Sequence, residues 1–301
     1  MDSVLVVGVA GGLGGLVARR LRQTHRVVGA DRDAWKARVP DVRFHRVDLR
    51  TREFENVIRT ERPDAVVHLG LVRHFRGSAG ERFDVNVRGT RRLLDHCRSY
   101  GVRRVAVLST SYVYGALPEN PSFVDEDYPL SASRNYPEIR DLVEVDTLAT
   151  SFMWRHPDID TTVLRPVPTL GYAVDSTIGT YLRTRPVVVA MGFNPMIQFI
   201  HEEDVAEAIA TSIERGARGV YNVTGSGAVP IRVAIRETGG RALPLPEPLL
   251  RRYADWALRL PSGAIDFIKY PCTIDGARFE SDVEFQPRFS LRETFRSLRR
   301  P

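Results

Sequence analysis

Short apolar runs alternate with amphipathic segments through the first half of the chain. Residues 4–7 (VLVV) form a β-branched run, and residues 13–21 carry apolar side chains at helical spacing. Residues 26–30 (RVVGA) and 42–45 read as strands, and 51–62 as a helix. Residues 65–69 (AVVHL) read as a buried strand, 87–100 as a helix and 102–108 (VRRVAVL) as another strand. A helix over 138–154 then precedes a strand over 161–164. Unbroken apolar strands are those covered on both faces. Strand–helix alternation implies parallel strands joined by right-handed crossovers. The predicted fold class is α/β, with a doubly wound Rossmann sheet.

After Arg165 the pattern changes. Prolines from Pro166 to Pro287 cut the second half into short pieces. A helix over 203–214 and a strand over 219–223 still match the first half and read as late additions to its sheet. The predicted division is one domain of 1–166 plus about 198–223, with a smaller substrate-binding lobe of about 167–197 and 224–301. Residues 254–260 read as a short amphipathic helix, a candidate lid or membrane-facing patch, with core packing as the simpler use.

Composition narrows the function classes. The chain has 301 residues, 43% hydrophobic and 27% charged, which excludes disordered, collagen-like and coiled-coil proteins. No apolar run approaches the roughly 20 residues of a membrane span. Met1-Asp2-Ser3 lacks the basic flank of a signal peptide. Cys97 and Cys272 are too few for a disulfide framework, and Cys97 has core spacing with Leu93 and Leu94. The expectation is a cytoplasmic protein without a membrane partner. The net charge is +6, yet the arginines are spread along the chain with no basic stripe of interleaved aromatics, so no nucleic-acid partner is expected. The seven histidines show no ligand spacing, so no metal is expected; His68 and His201 read as structural.

The sharpest motif is Gly8-Val9-Ala10-Gly11-Gly12-Leu13-Gly14, between the first strand and the first helix. Glycines there let the chain turn tightly and bring backbone N–H groups against a pyrophosphate, which the helix N-terminus also attracts. Asp31 ends the second strand, where a carboxylate accepts both ribose hydroxyls of NAD and repels a 2′-phosphate. Arg32 beside it would suit that phosphate, so NADP stays open while NAD is favoured. Asp48, followed by Leu49, has two readings: an acceptor for the adenine amino group, or a carboxylate beside a helix N-cap.

Several blocks resemble the extended short-chain dehydrogenase/reductase family of the NAD-dependent epimerase/dehydratase type. The Gly8/Gly11/Gly14 spacing is similar to that family's glycine loop. The segment from Pro63 to Leu69, followed by Gly70, resembles its cofactor-lining fourth strand. Asn86-Val87-Arg88-Gly89-Thr90 is similar to its N-V-x-G-T helix start, where Asn86 would fix a loop near the nicotinamide. The run Ser109-Thr110-Ser111-Tyr112-Val113-Tyr114-Gly115 resembles its catalytic Ser/Thr strand, and Leu164-Arg165-Pro166 its post-catalytic strand. Phe199-Ile200-His201-Glu202-Glu203-Asp204-Val205 is similar to its F-[IV]-H-V-x-D-[VL] block, and Asp275 with Phe285-Gln286-Pro287 to its C-terminal pattern.

The resemblance implies an NAD-dependent oxidoreductase or epimerase acting on a small substrate. Thr110 would orient a substrate oxygen, and Tyr136 would be the acid/base. Hydride leaves a carbinol carbon only as its hydroxyl proton is removed. A phenol with a pKa of about 10 needs nearby positive charge to take it. The family supplies a lysine four residues on; here the position holds Arg140, in Tyr136-Pro137-Glu138-Ile139-Arg140. Tyr100/Arg104 and Tyr181/Arg185 show the same spacing, so position carries the assignment. The expectation is that Arg140 tunes Tyr136 electrostatically and holds the ribose. The alternative is a non-catalytic dinucleotide-binding regulator whose catalytic set has drifted.

Two departures bear on substrate. The family's phosphate-binding arginine is replaced by Ile197, and a second is not recognisable in Lys269-Tyr270-Pro271-Cys272-Thr273. An isoleucine cannot pair with a pyrophosphate, so a nucleotide sugar is not expected. Arg165 reads as a structural partner of an acidic neighbour; Glu126 and Asp127 cap a turn or reach the substrate. The resemblance also implies a homodimer through the helices over 87–100 and 138–154. The apolar face of Leu142, Val143, Val145 and Leu148 serves either that interface or the protomer's own core.

Overall fold

The first apolar run forms β1 (Ser3–Val7), buried at all five positions, and the following amphipathic segment forms α1 (Gly12–Leu21). β2 (Arg26–Asp31), β3 (Arg43–Arg46), α2 (Arg52–Glu61) and β4 (Ala65–His68) follow. The computed structural model describes residues 3–73, 78–254, 256 and 262–298. Next come α3 (Ala79–Phe83), a π-helical turn (Asp84–Arg88), α4 (Gly89–Ser99), β5 (Arg104–Leu108) and a 3₁₀ turn (Ser111–Tyr114). α5 (Ala132–Asn135), a 3₁₀ turn (Pro137–Ile139), α6 (Arg140–Arg155) and β6 (Asp160–Pro166) complete the first half.

The helix expected over 87–100 begins earlier, at Ala79. Ser78 starts it by accepting the Glu81 N–H on its side-chain oxygen. The π-helical turn absorbs an extra residue before α4. The helix expected over 138–154 starts later, at Arg140, because Pro137 opens a separate 3₁₀ turn.

The second half adds β7 (Thr169–Leu170), α7 (Thr177–Arg183), β8 (Val187–Ala190), β9 (Met196–Gln198), β10 (Ile200–His201), α8 (Glu202–Arg215) and β11 (Gly219–Val223). β12 (Ala228–Pro230), α9 (Ile231–Glu237), β13 (Ala242–Leu245), α10 (Glu247–Tyr253), α11 (Ala277–Val283) and α12 (Leu291–Ser297) follow. Of the segment 254–260 read as an amphipathic helix, residues 255 and 257–260 lie outside the described residues.

The main sheet has seven strands in the order β11-β6-β5-β4-β1-β2-β3, all paired in parallel. Alternate side chains of each strand feed opposite cores, as the pleat requires. Val4 and Val6 pack with Val17, Leu21, Val205 and Ile209 of α1 and α8. Leu5 and Val7 pack with Phe54, Leu93, Val145 and Phe152 of α2, α4 and α6. The second half also builds three small sheets, β10-β7, β12-β9 and β13-β8, around a core that includes Leu182, Phe199, Ile231 and Phe295. The doubly wound Rossmann sheet is therefore present as the alternation predicted.

Candidate cofactor and active site

From β1 the chain winds outward through β2 and β3, then returns to place β4 on the other flank of β1. Ligands of open α/β sheets bind at such a switch point, beyond the strands' C-terminal ends. Gly8 leaves β1 with φ +87°, and a Cβ there would stand 2.6 Å from the Gly70 nitrogen. A Cβ on Gly14 would stand 2.2 Å from the Gly8 carbonyl oxygen. Both positions therefore admit only glycine, and the loop is drawn tight against the end of β4. Gly11 caps α1 without a side chain, and the first turn, with Gly12 and Leu13, carries no acidic residue. The positive end of the helix dipole is thus left for an anion.

Asp31 stands at this loop. Its Oδ2 accepts the Ala10 N–H at 2.9 Å and its Oδ1 the Asp33 N–H at 2.9 Å. Arg32 is exposed, with its Nε 3.9 Å from Asp33. Asp48 is committed elsewhere: Arg50 donates to both of its oxygens, at 2.7–3.2 Å, and reaches Asp84 at 2.8 Å. The Arg50 side chain holds the Asp48 carboxyl below its ordinary range. An adenine contact would have to share those oxygens. Leu49 is buried against Gly89 and Gly70, and the Leu69 N–H pairs with the Val7 carbonyl. These residues form the floor between β1 and β4.

Asn86 is fully buried in the π-helical turn. Its amide accepts from the Val72 N–H at 2.7 Å and donates to the Val72 carbonyl at 2.9 Å and to Asp141 at 2.6 Å. It thereby fixes the segment after β4, where sequence reasoning missed a cation. The Arg73 guanidinium donates to the carbonyls of Leu108 and Ser109 at the end of β5. Burial pushes Arg73 down to about 10. Burial, with Arg73 as the lesser cause, also pushes His68 down to about 3, so its ring is neutral. His68 pairs with the Thr90 hydroxyl at 2.9 Å, the structural role expected of it.

Thr110 follows β5 and caps the 3₁₀ turn, its hydroxyl accepting the Tyr112 N–H at 3.3 Å. Beneath it lies a buried polar chain. Ser109 donates to Asp146 at 2.5 Å, and Arg165 holds the same carboxylate in a two-point contact at 2.7 and 2.9 Å. Arg165 also donates to the Tyr114 hydroxyl, which donates to Asn222. This is the structural pairing expected for Arg165, whose neighbour Pro166 ends β6 in the interior. Glu126 joins the same chain by accepting the Asn222 N–H at 2.8 Å.

Tyr136 is buried among Ala132, Ile139, Leu142, Leu71 and Tyr112. Its ring centroid lies 5.6 Å from that of Phe267, which in turn meets Tyr112 at 4.6 Å. Phe267 therefore links Tyr136 to the turn that Thr110 caps. Burial drives the Tyr136 phenol well above its ordinary pKa, reinforced by Tyr112 and Glu138.

Arg140 is the first residue of α6. Tyr136 sits outside any helix, at φ −132° and ψ 72°, and the turn Pro137–Ile139 separates it from α6. The two residues do not share a helical face, and Arg140 is exposed. Arg82 of α3 favours the Tyr136 phenolate, but more weakly than burial, Tyr112 and Glu138 oppose it. Arg82 donates to the Glu138 carbonyl at 2.7 Å and lies 3.7 Å from Asp141. Nothing in one arginine among many marked Arg82 or Arg73 in the sequence, because only the fold brings α3 and the end of β4 to this turn.

His201 caps α8, accepting the Glu203 N–H, and stacks on Phe289 at 3.8 Å, again structural. Among the described residues no group of three His, Cys, Asp or Glu side chains is placed to hold a metal. Among them also, no helix is long and apolar enough to cross a membrane.

The model of the NAD dependent epimerase/dehydratase family matches residues 4–224. An uncharacterized protein of Mycobacterium tuberculosis is 29% identical, covering 97% of this chain and 82% of its own. A 3-diazoavenalumate denitrifying reductase of a Streptomyces species is 30% identical, covering 73% of this chain and 75% of its own. In fold, the chain is similar to the NAD complex of UDP-glucose 4-epimerase from Thermus thermophilus, with a TM-score of 0.78, 23% identity and 98% and 97% of the two chains covered. The Gly8–Gly14 cradle, the uncapped start of α1 and Asp31 fit that dinucleotide in kind. With this loop at the switch point and the family model spanning all but the first residue of the main sheet, the chain belongs to the NAD-dependent epimerase/dehydratase family.

Proposed function

We propose that the protein is an NAD-dependent oxidoreductase that moves a hydride between nicotinamide and the carbinol or carbonyl carbon of a small substrate other than a nucleotide sugar. The reading is carried by one juxtaposition. The glycine cradle ends β1, the Thr110 strand lies just beyond β4, and Tyr136 is buried beside the Thr110 turn through Phe267. When bound, the dinucleotide supplies the hydride donor or acceptor. Asp31 would hold its ribose, and NAD is favoured over NADP because that carboxylate repels a 2′-phosphate. Thr110 would orient the substrate oxygen by a hydrogen bond.

Tyr136 would hold or release the proton at that oxygen. A phenol kept neutral by burial can donate to a carbonyl oxygen as hydride arrives, and reduction is the direction proposed. The relative from Streptomyces that is itself a reductase agrees with this. The second reading, a non-catalytic dinucleotide-binding regulator, is favoured by the exposure of Arg140. A homodimer through α4 and α6 is proposed as the assembly, although Leu142 and Val145 are buried within the protomer.

A paired fluorescence titration with NADH and NADPH tests the pocket. NADH should bind more tightly, and Asp31→Ala should weaken it about tenfold or more, the worth of a charged hydrogen bond. Binding of neither dinucleotide would refute the reading. Persistence of binding with no turnover of any alcohol or ketone, unchanged in Tyr136→Phe, would favour the regulator.

A further inference from the structure

Where the family pattern has an apolar residue after the histidine, this chain has Glu202, the first residue of α8. Its side chain is buried, and among the described residues no basic side chain pairs with it. Instead it accepts four hydrogen bonds from three successive backbone N–H groups. Tyr172 donates at 3.0 Å, Ala173 at 2.9 and 3.1 Å, and Val174 at 2.7 Å. Three N–H groups converging on one carboxylate fix the path of the segment 172–174. Gly171 allows this approach, since a Cβ there would stand 2.0 Å from the Glu202 carboxyl carbon.

The segment so held lies across the glycine loop. A Cβ on Gly12 would stand 1.9 Å from the Ala173 carbonyl oxygen and 2.5 Å from its carbon. Gly12 is the first residue of α1, the end that attracts an anion. Its lack of a side chain is therefore explained by the close approach of residues 173 and 174. Tyr172, beside them, is largely exposed.

We propose that Glu202 is a positioning residue that straps residues 172–174 over the start of α1, so that bound dinucleotide leaves only when the strap opens. The proposal rests on the dinucleotide reading of the glycine loop. The strap is built into the protein's own backbone and needs no substrate to form. It makes retention of the cofactor a property of Glu202, which is remote in sequence from the glycine motif.

The test measures NADH dissociation by stopped-flow fluorescence in the wild type and in Glu202→Gln. The amide keeps the shape of the carboxylate but turns one acceptor into a donor facing backbone N–H groups. Dissociation should accelerate about tenfold or more, the loss of one to two charge-assisted hydrogen bonds. Glu203→Gln, at the exposed neighbouring position, should leave the rate within twofold. Hydrogen exchange provides a readout independent of activity. The amides of residues 172–174 should be protected in the wild type without cofactor and should lose that protection in Glu202→Gln. Should the variant fail to fold, exchange in the wild type decides alone: fast exchange at 172–174 overturns the strap. If NADH binds the wild type but its dissociation is unchanged in a folded Glu202→Gln, the strap is wrong and the pocket stands. If neither dinucleotide binds the wild type, the pocket reading fails and the strap falls with it.

Discussion

Asp146 has no exposed surface, yet it carries a charge that Arg165 matches with a two-point contact and Ser109 with a hydrogen bond. Removing water from such a pair is costly, and the pair persists because its oxygens are satisfied. Breaking it leaves an uncompensated guanidinium in the interior. Asp146→Asn should therefore destabilise the protein by about 3–5 kcal/mol, read from urea unfolding. The same residue supports Thr110 through Ser109, so any folded fraction should also show weaker Tyr136-dependent turnover. The sequence offered Arg165 as half of a pair but not its partner. Asp146 lies 19 residues earlier on α6, and only the packing of α6 on β6 brings them together.

At the scale of elements, the start of α6 sets Tyr136 apart from the helix that Arg140 opens. Proline fixes its own φ and disfavours a helical conformation in the residue before it. Pro137 thus excludes Tyr136 from α6, and the four-residue spacing to Arg140 no longer places both on one face. Arg82 reaches the turn from α3 and is anchored by the Glu138 carbonyl. An opposite charge near a titrating group favours its charged form. Arg82→Gln should accordingly move the pH profile of turnover upward and lower kcat more than Arg140→Gln does, with partial recovery in Arg82→Lys. An equal or larger effect of Arg140→Gln would overturn the preference for Arg82. The expected strands and helices were otherwise legible because a period of two or of 3.6 survives in the apolar pattern. The early start of α3 was not, since its first turn depends on a single serine cap and little apolar periodicity.

For the whole molecule, the substrate question turns on how the second half is assembled. Ile197 lies in β9, buried and paired antiparallel with Val229 of β12. Gln198, next to it, binds the N–H and carbonyl of Ile274. Lys269 is engaged with Glu247 at 2.8 Å and with the faces of Phe193 and Tyr270. None of these offers the bidentate cation that a diphosphate favours. UDP-glucose should therefore show no binding at micromolar concentration in a calorimeter, with NADH present to complete the pocket. Micromolar binding would overturn the proposed exclusion of nucleotide sugars.

What the sequence determined by itself was whatever is local. Apolar periodicity set the sheet strands and their helices, and the glycine spacing set the turn at the end of β1, where Gly8 and Gly14 leave no room for a side chain. These are short-range consequences of backbone sterics and of one face seeking cover. What only the tertiary structure decided were the partners of charged groups. Asp48 with Arg50 was close at hand, but Asp146 with Arg165, Arg82 beside Tyr136, Arg73 on the β5 carbonyls and Glu202 on the backbone of residues 172–174 join segments far apart in the chain. A buried charge must find a partner wherever the fold provides one, and composition does not say where.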